Sequence, residues 1–113
     1  MSDFESFVES IVNRHYKSLK EWLESNGLRA PEPKVLSKLI VGLIVSDLND
    51  DKDLFDQVMG KLAEELGLEG KPMPLAQEAL FHIMRLASLA YIRLFAGLGA
   101  PGRGGGPPSA WGS

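Results

Sequence analysis

Asp47, Asn49, Asp51 and Asp53 stand at alternate positions in the run Asp-Leu-Asn-Asp-Asp-Lys-Asp. Oxygen-bearing side chains at that spacing suit a hard cation such as Ca²⁺. A calcium loop in this register needs glycine at its sixth position for a sharp turn and a bidentate glutamate at its twelfth. Those positions hold Lys52 and Val58, and Asp56 is out of register. The acids therefore read as a helix–helix turn in which Asn49 or Asp50 caps the next helix, and no metal ligand is assigned.

The chain has two histidines and no cysteine, which removes thiolate metal sites, disulfides and cysteine nucleophiles. His15 falls where the apolar stripe of a first helix would include it and reads as a core-edge residue. His82 falls on the polar stripe of a later helix. Neither has a legible serine or carboxylate partner for nucleophilic catalysis. Gly104, Gly105 and Gly106 follow a helix instead of opening one, the wrong context for a phosphate loop. No catalytic residue and no cofactor is expected, and the chain is not read as an enzyme.

Cationic side chains form two groups that could meet phosphates. One is Arg14, Lys17 and Lys20, with Arg29, Lys34 and Lys38 just beyond; the other is Arg85 and Arg93, followed by Arg103 set among glycines. Glycine-set arginine resembles segments that contact single-stranded nucleic acid. Interleaved Glu9, Glu21 and Glu24 also fit an ordinary solvated helix face. Charge is unevenly spread. Residues 1–46 balance, residues 47–70 carry eight acids against two bases, and residues 71–113 carry four bases against Glu78.

These groups must be positioned by helices. With 113 residues, 44% hydrophobic and 24% charged, the chain fits one globular domain. Phe4, Phe7, Val8, Ile11, Val12, Leu19, Trp22 and Leu23 recur at helical spacing and predict a helix over 3–26, closed by Gly27. Pro31 and Pro33 impose an extended link. A second helix is predicted over 34–48. Its stretch 39–45 is apolar all round, and Gly42 within it costs about 1 kcal/mol relative to alanine, which a close helix crossing would explain. A third helix is predicted over 51–66 with Gly67 as its stop. A fourth, opened by Pro74 in its first turn, is predicted over 74–98. The expected fold is all-α, a four-helix bundle or orthogonal array over residues 1–99, with a flexible Gly/Pro-rich tail over 100–113.

The apolar excess is the most informative feature. On the fourth helix Phe81, Met84, Tyr91, Ile92 and Phe95 lie toward one flank and a second apolar set toward another, beyond the single stripe a bundle helix needs. Val41 and Val45 widen the stripe of the second helix in the same way. These seven residues are the expected protein interface. The function expected is a non-enzymatic assembly protein that self-associates or docks into a larger complex through its second and fourth helices. The alternative is a nucleic-acid-binding small subunit of a nucleoprotein assembly, a viral or filament coat among them, with the arginines and lysines above on phosphates. Residues 1–5 are acidic and lack an apolar stretch, so no secretory signal is read. The longest uncharged apolar run, 39–46, is too short to cross a bilayer, and the longer fourth helix carries Arg85 and Arg93. A soluble, cytoplasmic protein is the expectation.

Overall fold

The computed structural model describes residues 3–99, with side chains through residue 96. It is all-α. Among the described residues there are four helices and no strand: α1 (Asp3–Ser25), α2 (Pro33–Leu48), α3 (Lys52–Leu66) and α4 (Met73–Gly99). The tail over 100–113, with Arg103 and Trp111, lies outside the described residues.

Three helices end in the same hydrogen-bonded motif. After α1, Gly27 N–H donates to Glu24 O and Leu28 N–H to Leu23 O. After α3, Gly67 N–H donates to Glu64 O and Leu68 N–H to Ala63 O. After α2, Asp50 N–H donates to Asp47 O and Asp51 N–H to Ser46 O. This arrangement satisfies orphan carbonyls of the last turn but needs a left-handed residue at its centre. Gly27 (φ 76°) and Gly67 (φ 72°) adopt that conformation freely, whereas Asp50 (φ 53°) is a non-glycine residue in it. Leu28 and Leu68, the residues that follow the glycines, turn inward and are buried.

The acidic turn is a cap, with one correction to the residue that performs it. Asp51, not Asn49 or Asp50, is the N-cap of α3, and its Oδ1 accepts a 3.0 Å hydrogen bond from Leu54 N–H. Asp50 instead closes α2. Lys52, first in α3, pairs with Asp56 one turn on, at 2.8 Å.

The α2 helix is the centre of the fold, packing against α1, α3 and α4. Its Leu36, Leu39, Ile40, Leu43 and Ile44 are buried on several sides, which accounts for its near-continuous hydrophobicity. Its two buried serines return their hydroxyls to the helix, Ser37 to Pro33 O at 2.6 Å and Ser46 to Leu43 O at 2.8 Å, so no polar group is stranded there. Gly42 marks the crossing with α3: a Cβ at that position would lie 2.9 Å from Val58 Cγ2.

The link between α1 and α2 is extended and tied down at both ends. Arg29 N–H donates to Leu66 O at 2.9 Å, joining it to the end of α3. Tyr16 Oη donates to Pro31 O at 2.8 Å, holding it against α1.

Candidate functional site: the outer face of the last helix

Helix α4 packs on α1 and α2 through Ala79, Ile83, Leu86, Ala87 and Ala90, all buried. At about 100° per residue these span roughly a quarter of the circumference. On the side roughly opposite stand Phe81, Met84, Ser88, Ile92 and Phe95. Phe81 is 64% exposed, Ile92 65% and Phe95 52%, while Met84 is half-buried. The helix therefore has two apolar faces; one is buried, and of the other Met84 also reaches the core while Phe81, Ile92 and Phe95 stay exposed.

The outer face is fixed from the α2 side by Tyr91. Its ring stacks on Phe95, with centroids 5.0 Å apart and planes at 27°. Its hydroxyl donates toward the Asp47 carboxylate in the last turn of α2. Partial burial, and then that carboxylate, push the phenol above its ordinary pKa. Tyr91, Ile92, Phe95 and Ala96 wall an open apolar depression of about 690 Å³.

Burial separates the two apolar helices. Met73–Ala96 has a mean hydropathy of 1.4, and 28% of its apolar window is buried in the protein. By length and composition alone that segment is long and apolar enough to cross a membrane, Arg85 and Arg93 included. The two valines assigned to the interface from α2, Val41 and Val45, are half-buried, and Val41 packs on the core.

Three of the basic residues or pairs have distinct surroundings. Arg14, Lys17, Lys20, Lys34, Lys38, Arg85 and Arg93 are all exposed. Lys20 pairs with Glu24 at 3.2 Å. Lys34 and Lys38 share a hollow of about 230 Å³ with Glu5 and Glu9. Arg85 lies instead on a groove of about 270 Å³ between α1 and α4, with His15, Ser18, Trp22 and His82.

That groove corrects the reading of both histidines. His15 is exposed, not at the core edge. His82 is half-buried; its ring centroid lies 4.5 Å from that of Trp22, and its Nε2 is buried with no hydrogen-bond partner among the described residues. Periodicity along α4 places His82 beside Arg85, but only the approach of Trp22 from α1 takes it out of solvent. Among the described residues no group of three or more His, Asp or Glu side chains comes together as a metal site requires.

Comparison of the chain with protein-family models, curated proteins and solved structures finds no match.

Proposed function

We propose that this protein is a non-enzymatic helical assembly protein that works through the outer face of α4. The observation that carries the reading is the second apolar face of that helix, where Phe81, Ile92 and Phe95 are each more than half exposed on the side away from the core. Contiguous apolar surface of this kind is unfavourable in water and marks a site of association. The central position of α2 leaves Val41 and Val45 a smaller part in it.

A protein partner suits this face better than lipid. Spanning a bilayer would put Arg85 and Arg93 in hydrocarbon at about 2.5 kcal/mol or more each. It would also strip Ala79, Ile83, Leu86 and Ala90 from α1 and α2. The nucleic-acid alternative is weakened by the carboxylates beside Lys20, Lys34 and Lys38, which oppose phosphate binding.

The test is sedimentation velocity with light scattering on the full chain, compared with a Phe81→Ser/Ile92→Ser/Phe95→Ser variant. The native chain should exceed monomer mass at high micromolar concentration, or bind a protein partner, and the variant should lose this at unchanged thermal stability. A chain that is monomeric throughout and captures no partner, with a variant that behaves identically, overturns the reading.

A further inference from the structure

The outer face of α4 is a near-palindrome about Ser88. Phe81 and Phe95 stand seven residues before and after it, and Met84 and Ile92 four before and after. Bulky apolar side chains thus flank a small one symmetrically. A face with this order is complementary to itself when a second helix lies antiparallel across it, because a two-fold axis must carry each residue's environment into its mate's. Resting on the assembly reading above, we propose that the occupant of this face is a second copy of the chain, with the two α4 helices antiparallel and the two-fold axis at Ser88.

The register follows from the axis. Phe81 of one copy meets Phe95 of the other, and Met84 meets Ile92. The two Ser88 side chains face each other at the centre, where their small size permits close approach. Residues 81 to 95 span about 21 Å of helix, enough for four such layers and the central contact. Ser88 is itself exposed, so nothing within the protomer blocks the axis.

The area suits a weak, reversible dimer. With aromatic side chains at about 150–250 Å² each and the exposures of Phe81, Ile92 and Phe95, these three side chains offer roughly 350 Å² per copy. Two copies would bury roughly 700 Å² through them, below the roughly 1,200 Å² of a standard interface and in the range of transient encounters. A monomer–dimer equilibrium at high micromolar concentration is therefore expected, not a permanent dimer.

Cysteine cross-linking of the full chain tests the register, because the native sequence has no cysteine. Ser88→Cys places its two thiols on the axis and should oxidise to a disulfide dimer at least about tenfold faster than Gln57→Cys, an exposed site on α3, since on-axis thiols are held at high effective concentration. An equal mixture of Met84→Cys and Ile92→Cys chains should cross-link to each other, while neither cross-links to itself. Self-cross-linking of Ile92→Cys alone would indicate parallel helices and overturn the register. If sedimentation shows a dimer but Ser88→Cys reacts no faster than Gln57→Cys, the axis is wrong while the assembly reading stands. If the chain stays monomeric yet binds a protein partner through this face, the second copy is excluded and assembly again stands. If it stays monomeric and instead co-sediments with phosphatidylcholine vesicles in a manner lost in the Phe81→Ser/Ile92→Ser/Phe95→Ser variant, the face belongs to lipid and both readings fail.

Discussion

Gly42 on α2 and Val58 on α3 meet so closely that a single added methyl at Gly42 would sit 2.9 Å from Val58 Cγ2. The glycine lowers helix propensity by about 1 kcal/mol, and the close crossing is what it permits. Val58 is buried and β-branched, with one favoured rotamer in a helix, so it has little room to swing aside. Gly42→Ala is therefore expected to lower stability by about 1 kcal/mol, the overpacking cost exceeding the propensity gain. Val58→Ala alone should cost about 2 kcal/mol through its cavity. In the double variant the new methyl occupies part of that cavity, so the two losses should be less than additive. Gly60, also helical, has nothing within 4 Å of a Cβ, and Gly60→Ala should raise stability by up to about 1 kcal/mol. Urea denaturation of the four variants measures all of these. Gly42→Ala as stable as Gly60→Ala would mean that α2 and α3 do not touch there.

Asp50 does the work of a glycine at the end of α2. Its φ of 53° places it in the left-handed region that Gly27 and Gly67 occupy after α1 and α3. Left-handed backbone costs a non-glycine residue about 1–2 kcal/mol, partly relieved for Asp by its short polar side chain. Asp50→Gly should raise stability by about 1 kcal/mol. Asp51→Ala, one residue on, should lower it by about 1 kcal/mol, because Asp51 Oδ1 caps Leu54 N–H. Thermal denaturation separates the two signs. Adding Ca²⁺ should shift neither midpoint, since the Asp51 carboxylate is engaged in the cap.

Much of this was legible in the sequence. All four helices stand within one residue of their expected bounds at every end, because Gly27, Pro33, Gly67 and Pro74 act through local backbone rules that need no tertiary context. The crossing at Gly42 was readable because a glycine inside a helix costs about 1 kcal/mol relative to alanine, a cost that close packing explains. What one strand of residues could not supply was which helix lies in the middle. Both α2 and α4 are apolar nearly all round, and only their packing shows that α2 is enclosed while α4 keeps a bare side. His82 was misplaced on a solvated stripe because its burial comes from Trp22, sixty residues away. The N-cap is Asp51 and not Asn49 or Asp50 because three acid or amide side chains in a row, Asn49, Asp50 and Asp51, offer the same chemistry, and backbone geometry selects among them.

His82 is a test of whether the α1–α4 groove is satisfied as it stands. Its Nε2 is buried without a hydrogen-bond partner among the described residues, against the Trp22 ring. An unpaired buried nitrogen costs about 1–3 kcal/mol, so His82→Leu, which keeps the apolar contact with Trp22 and removes the nitrogen, should raise stability by about 1 kcal/mol. Trp22→Ala should lower it by about 3 kcal/mol. A destabilised His82→Leu chain would mean that the nitrogen has a partner in solution, such as a bound water.

The two tyrosines should make the fold sensitive to alkali. Burial, with Glu24 and Glu32 acting in the same sense and Lys20 opposing them, raises the pKa of Tyr16; partial burial and Asp47 raise that of Tyr91. Each folded phenol thus holds its proton more tightly than the unfolded one. The unfolded chain binds fewer protons in the interval between the two values, so stability is complete below the unfolded value of about 10 and falls as pH rises through the folded value. Tyr16 also donates to Pro31 O at 2.8 Å, a bond the phenolate cannot make. Tyr16→Phe should cost about 1 kcal/mol at neutral pH through that lost bond and should flatten part of the alkaline decline. Tyr91→Phe should flatten the rest. Tyrosinate absorbance titrated alongside urea denaturation from about pH 8 to about pH 11 reads both effects. A native-state titration no higher than that of the urea-unfolded chain would show that neither ring is held as described.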